Sequence, residues 1–205
     1  MKTFIILPHQ LFNYKYLDKN KKIILWEHPQ YFTKYNFNKK KLILHRASMK
    51  YYYDYLKKKD FKVKYVEFNE KMTKKEYQIF DPIDKIKLSK KAEIIESPNF
   101  LLTKTDYAEY RERTDKFLFY SFYMWSKKKL DLIPNVKSTD KQNRKKLPKD
   151  VQLPKQPNIT KKDDEYVKEA IKYVNKHFAK NYGNTEKFNF PVTHSTAKKW
   201  LKSFL

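Results

Sequence analysis

Short apolar runs alternate with polar segments through the first half of the chain, and they predict about five β-strands. The runs are Thr3–Leu7, Lys22–Glu27, Lys62–Phe68, Tyr77–Asp81 and Ala92–Glu96. The first two are continuous apolar blocks, which is typical of parallel strands that are covered on both faces.

A long amphipathic helix is predicted between the second and third strands. Its apolar stripe recurs at helical spacing through Leu42, His45, Met49, Tyr52 and Leu56. A strand, a helix and a strand at this spacing form a right-handed crossover onto a parallel sheet. The pattern therefore predicts an α/β fold, a Rossmann-like parallel five-stranded sheet flanked by helices.

The second half of the chain changes character. Helical patterns cover roughly residues 105–113 and 115–130, and a lysine-rich segment with four prolines follows. A helix is expected from Lys161 to about Ala179, and another begins near Thr193 or Ser195. We therefore predict an α/β domain at 1–133, a basic linker at 134–160, and the start of a truncated helical domain at 161–205.

Composition supports a folded core and narrows the chemistry. Of the 205 residues, 40% are hydrophobic and 17% aromatic, which argues against global disorder despite a net charge of +24. Only four of the basic residues are arginine, so the lysine excess reflects AT-rich codon bias as much as function. The charge still attracts polyanions.

Cysteine is absent, which excludes disulfides, thiol catalysis and iron–sulfur ligation by this chain. The histidines lack metal-ligand spacing, so no metal is predicted. No apolar stretch approaches the length of a membrane span, and none forms a signal-peptide core. We expect a soluble, intracellular protein with no membrane partner.

Two strand ends carry the candidate binding residues. His9 and Gln10 follow the first strand, where doubly wound sheets hold their ligands, although on chemistry alone a simple capped turn is the preferred interpretation. Glu27 and His28 end the second strand, where Glu27 is either an orienter of a polar ligand or a solvated strand end. Gly183 is the sole glycine, so a glycine-rich phosphate loop is missing.

Two further features favour structural roles. His45 lies on the apolar helix stripe and is expected to be a core histidine with satisfied hydrogen bonds. The aromatic run Phe117–Trp125 could stack on bases, but a helix buried between two layers is the preferred interpretation. No nucleophile–base pair and no close pair of catalytic carboxylates is visible.

Several segments in order resemble a known family. They are LPHQLF, Glu27–Leu56 with its HRASMKYY helix, FYMWSKKKLDLI, DKQNRKKLP and FPVTHSTAKKWLKSF. Together they resemble the amino-terminal part of photolyase-related flavoproteins, the bacterial-type cryptochrome/photolyase branch that includes the iron–sulfur (6-4) photolyases. The resemblance covers essentially the whole chain.

The resemblance implies an α/β domain that holds a light-harvesting antenna, a lumazine in characterised members. It places the antenna pocket near His9, Gln10, Glu27, Tyr31 and Met49. In the family, FAD, the lesion pocket and the iron–sulfur cysteines belong to a following helical domain. No FAD or iron–sulfur cluster is therefore expected on this chain, and a separate helical FAD-binding half is the implied partner.

Three functional hypotheses follow. The chain is one half of a split or truncated DNA-repair flavoprotein and is not photochemically competent alone. Alternatively, it is a basic, non-enzymatic module that makes non-specific DNA contacts. The third hypothesis is an inactive relic of a broken photolyase gene.

Overall fold

A computed structural model describes residues 2–131, 140–141, 143–146, 148–152 and 161–204 of the chain. The strands are β1 (Thr3–Ile6), β2 (Lys22–Trp26), β3 (Val63–Val66), β4 (Tyr77–Phe80) and β5 (Ala92–Ile95). The helices are α1 (Pro29–Phe32), α2 (Lys39–Lys57), α3 (Lys104–Glu112), α4 (Phe119–Leu130), α5 (Lys161–His177) and α6 (His194–Phe204).

The five strands form one parallel sheet in the order β3-β2-β1-β4-β5. This confirms the predicted α/β fold with its five-stranded parallel sheet. The chain winds from β1 outward to β3 and then crosses back to place β4 on the other side of β1. The topological switch point therefore lies between β1 and β4, where open α/β sheets form their ligand crevice.

The helix α2 has the predicted apolar stripe. Asn38 caps its first turn by accepting a hydrogen bond from the Lys40 backbone N–H at 2.8 Å. The stripe residues are buried against the sheet: Leu42, Met49, Tyr52 and Leu56. Asp60 then takes a left-handed conformation with φ 61°, which turns the chain toward β3.

The chain divides into two compact units, Met1–Ile95 with Lys155–Leu205, and Glu96–Pro154. This division differs from the predicted domains, because α5 packs along α2 and joins the sheet unit. The face of α5 that is buried consists of Val167, Ala170, Tyr173 and Val174. Whether residues 161–205 also begin a larger helical domain stays a prediction, and most of the predicted linker lies outside the described residues.

A buried carboxylate fixes the start of α6 to α5. Asp163 is fully buried, and its Oδ1 accepts hydrogen bonds from the backbone N–H groups of Val192 and Thr193, both at 3.1 Å. Its Oδ2 accepts a hydrogen bond from the Thr196 hydroxyl at 2.7 Å. The orphan N–H groups ahead of this helix are thereby satisfied.

The second unit contains α3 and α4. Thr103 and Asp106 form a capping box at the start of α3. Tyr110 of α3 packs against Phe122 and Trp125 of α4, with ring centroids 5.1 and 5.3 Å apart.

The prediction that the aromatic helix is buried between two layers is wrong. No side chain of α4 is buried, and Phe119 and Tyr120 are 76% and 71% exposed. Among the described residues, no helix combines the length and apolar character that a membrane crossing requires.

Candidate functional site

Gln10 links the loop after β1 to the end of β4 by hydrogen bonds across the switch point. Its side chain is 1% exposed, and its Nε2 donates to the Phe80 carbonyl at 2.8 Å. Its Oε1 accepts from the Leu7 backbone N–H at 3.2 Å. The amide of this predicted ligand-binding residue therefore holds the loops of the site in place, and its contact with an antenna stays a prediction.

His9 lies beside Gln10. Among the described residues, only one of its two ring nitrogens has a hydrogen-bond partner. Its Nε2 donates to the Pro82 carbonyl at 3.1 Å, while its buried Nδ1 has no hydrogen-bond partner among the described residues. Burial lowers the pKa of His9. In the neutral ring with Nε2 protonated, Nδ1 is an acceptor that awaits a donor.

Tyr31 of α1 forms one wall of the same cluster. Its ring centroid is 4.9 Å from that of His9, and its hydroxyl donates to Asp84 Oδ2 at 3.0 Å. Burial raises the pKa of Tyr31, and the hydrogen bond to Asp84 adds to that effect. The structure therefore brings together two of the predicted residues, His9 and Tyr31, although they are far apart in sequence.

His45 of α2 also belongs to this cluster, close to Tyr31. Its ring centroid lies 6.4 Å from Tyr31 and 6.0 Å from Phe32. Burial lowers the pKa of His45 to about 4, and the positive charges of Lys41 and His9 act in the same direction. Its buried Nε2 has no partner within the described part of the chain, so the prediction of a satisfied core histidine is wrong at this atom.

Trp26 and His28 also belong to this cluster, although the sequence pattern had not indicated Trp26 as a site residue and had given His28 no role. The two rings are 4.2 Å apart, and His28 lies 6.2 Å from Tyr31. The buried Nε1 of Trp26 also has no partner among the described residues. We call His9, Trp26, His28, Tyr31 and His45 the switch-point cluster. A tryptophan at the end of a buried strand is the signal that could have found it.

Glu27 lies next to the switch-point cluster in sequence but belongs to a different network. Its side chain is fully buried, so it is not a solvated strand end. Oε1 accepts from Arg46 Nη1 at 2.9 Å and from the Tyr65 hydroxyl at 2.7 Å. Oε2 accepts from the Tyr173 hydroxyl at 2.9 Å and the Phe68 backbone N–H at 3.2 Å. These four bonds account for its acceptor capacity, and its antenna contact stays a prediction.

Arg46 is the centre of this second network. It donates to Glu67 at 2.8 Å and to Glu169 of α5 at 2.6 Å, and its guanidinium lies 3.7 Å from the Tyr173 ring centroid. Burial disfavours its charge, but the carboxylates of Glu169 and Glu27 outweigh that effect and raise the pKa of Arg46. The network joins β2, the segment after β3, α2 and α5, so its role is structural.

Met49, the last predicted antenna residue, is fully buried in the core of the sheet unit. Its contact with a ligand stays a prediction. Within the described ranges, no group of three or more histidine, aspartate or glutamate side chains could hold a metal ion. The chemistry available at the switch point is hydrogen bonding and stacking by uncharged rings.

Comparison with known proteins now identifies the family. The family model described as deoxyribodipyrimidine photo-lyase-related protein matches residues 4–81 and 71–190. An uncharacterized protein of Acanthamoeba polyphaga mimivirus is 33% identical over 184 residues, which cover 70% of this chain and 94% of that protein. The chain belongs to the deoxyribodipyrimidine photolyase-related protein family.

Proposed function

We propose that the sheet unit binds a lumazine-type antenna at the switch-point cluster, as part of a DNA-repair flavoprotein of the bacterial-type cryptochrome branch. One observation carries this proposal. His9 Nδ1 and His45 Nε2 are both buried, both rings lie close to the Tyr31 ring, and neither nitrogen has a hydrogen-bond partner among the described residues.

The two unpaired ring nitrogens carry a free-energy cost in the unliganded protein. A buried polar atom without a partner lowers the stability of the folded protein by about 1–3 kcal/mol. A ligand that hydrogen-bonds to this atom would remove that loss. A lumazine is a flat heteroaromatic ring with N–H and carbonyl groups, so one of its N–H groups can donate to His9 Nδ1, and its polar edge can pair with His45 Nε2. When bound, such a group absorbs light and passes on its excitation energy.

The surrounding rings fit the same ligand class. Tyr31, Trp26 and His28 supply aromatic faces close to the unpaired atoms. The Nε1–H of Trp26 is a third group without a partner in the described residues, and it is a donor that suits a ring carbonyl. Gln10 supports the site indirectly by holding its two loops together.

Fluorescence titration of the protein with a ribityl-lumazine tests the proposal. His9→Phe and His45→Leu should each weaken binding about tenfold, because each removes one hydrogen bond to the ligand. His177→Leu on α5 is the matched control and should bind as the native chain does. Binding that is absent from the native chain, or equal in all four proteins, would refute the proposal.

We propose a separate flavin-bearing helical polypeptide as the partner of this chain. The support is the exposed apolar surface of α6, where Leu201 is 58% exposed. Leu201→Lys should abolish co-purification with such a helical half, whereas Lys202→Ala, also on α6, should not. If the Leu201 variant still co-purified with it, the contact would lie elsewhere.

The net charge of +24 favours a second candidate, non-specific binding of duplex DNA by phosphate contacts. Affinity should then fall steeply as salt is raised and should be the same for unrelated sequences. Negligible binding at low salt would exclude this candidate.

A further inference from the structure

A cavity opens at the amino-terminal edge of the sheet, the edge opposite the switch-point cluster. It encloses about 870 Å³. Lys2 and Thr3 at the start of β1 line this cavity. The rest of the lining consists of residues 73–78, which lead into β4 and begin it, and of Lys91 and Glu93 at the start of β5. Its size falls within the range of small-molecule sites, about 300–1,000 Å³.

Positive charge predominates in the lining of this amino-edge cavity, which contains four lysines and two glutamates. Lys91 pairs with Glu76 at 2.8 Å, but both side chains are largely exposed, so the pair is weak and open to competition. Within the described part of the chain, Lys2, Lys74 and Lys75 form no ion pair. Three ammonium groups are therefore available to an anion.

Uncharged donors lie among the lysines. Tyr77 is buried, and its hydroxyl accepts from the Ser89 backbone N–H at 3.1 Å, which leaves its own hydrogen as a donor. Thr3 is likewise buried and lines the cavity. Gln78 accepts from Lys21 through its side-chain oxygen, so a fifth lysine lies at the rim and the amide hydrogens of Gln78 remain for a ligand.

We infer that the amino-edge cavity binds a compact polyphosphate, either inorganic tripolyphosphate or the triphosphate group of a nucleotide. Lysines at the starts of separate strands line one cavity whose volume exceeds that of a single phosphate, so a chain of phosphates can contact several of them together. Hydroxyl and amide donors at the cavity add directed hydrogen bonds to the phosphate oxygens. This inference is independent of the antenna proposal, because the two sites share no residue.

Calorimetric titration with tripolyphosphate at about 150 mM KCl tests the inference, since that salt concentration screens contacts beyond roughly 8 Å. The double variant Lys74→Ala/Lys75→Ala should bind about tenfold more weakly than the native chain. Lys198→Ala/Lys199→Ala removes the same charge from an exposed lysine pair on α6 and should bind as the native chain does. All four lysines are exposed, and an unchanged melting temperature verifies folding.

Equal weakening in the two double variants would show general attraction to a basic protein and would overturn the inference, as would the absence of binding to the native chain. A parallel titration with ATP distinguishes the two sources. Equal affinity for ATP and tripolyphosphate would show that the cavity recognises only the phosphates. Tighter binding of ATP would show that the cavity is a nucleotide site.

Discussion

Arg46 of α2 donates from Nη1 to Oε1 of Glu27 across 2.9 Å, and the two side chains are only 4% and 0% exposed. A buried pair of this kind contributes little to stability by itself, because desolvation offsets the attraction. Here the pair is completed by Glu169 of α5, so it specifies where α5 lies against α2. The carboxylate at the end of β2 therefore positions a helix that follows much later in the chain.

Replacing Glu27 with glutamine should destabilise the protein by about 3–5 kcal/mol. The substitution removes a buried negative charge from Arg46 and places an amide NH2 against one of the two hydroxyls, Tyr65 or Tyr173, that already donate to this side chain. Urea unfolding measures the loss. Glu67→Gln is the control and should cost less, because that side chain is 32% exposed. Equal losses would show that Glu27 has no special place in the network.

Replacing Asp163 with alanine should loosen the start of α6. Three hydrogen bonds from Val192, Thr193 and Thr196 are lost inside the protein, for an expected cost of about 3 kcal/mol. Hydrogen exchange should accelerate over residues 192–197. Asp164→Ala, which removes only a surface pair with Lys168, should change stability by less than about 1 kcal/mol. Unchanged exchange in the Asp163 variant would contradict this account of α6.

Replacing Gln10 with methionine should separate the loops at the switch point while nearly preserving side-chain volume. The Leu7 N–H and the Phe80 carbonyl lose their partner, which should cost about 2–3 kcal/mol. Gln152→Met at an exposed position should be neutral. Thermal unfolding compares the two variants, and a neutral Gln10 variant would mean that these bonds do not hold the site together.

The sheet and α2 were predictable because buried strands and helices each require a characteristic spacing of apolar residues in the local sequence. The first two strands are continuous apolar runs, and the stripe from Leu42 to Leu56 repeats at helical spacing, so neighbouring residues carry the information. The same reasoning failed for α4. An aromatic helix has the composition of a buried one, but composition does not say whether enough partners exist to cover it, and Phe119 is 76% exposed.

The candidate site was predictable only in part. The loop after the first strand pointed to His9, because parallel strands finish at a common edge, and the family resemblance added Tyr31. The partners of the polar groups could not be foreseen, since they are remote in sequence. Gln10 bonds to Phe80, 70 residues away, and Arg46 bonds to Glu169, 123 residues away. His45 lay on the correct stripe, but its unpaired Nε2 depends on the arrangement of three separate elements.

The pKa of His45 predicts how stability changes with pH. The value is about 4 in the folded protein against an ordinary 6.5, and burial is the main cause. Between these values the unfolded chain binds a proton that the folded chain does not. The contribution of neutral His45 to the free energy of unfolding is therefore complete above about pH 6.5. It is lost as the pH falls toward 4, by up to about 3 kcal/mol. His9 and His28, whose pKa values burial also lowers, act in the same direction.

A His45→Gln variant isolates this contribution, because glutamine keeps a hydrogen-bonding side chain but does not titrate. Urea unfolding at pH 7 and pH 4.5 should show that the native chain loses about 2–3 kcal/mol more than the variant between the two conditions. His177→Gln on α5 should retain the full loss. If His45→Gln also retained it, His45 would be protonated in the folded protein near pH 4.5. Its Nε2 would then have a partner or contact water, and the unpaired nitrogen on which the antenna proposal depends would not exist.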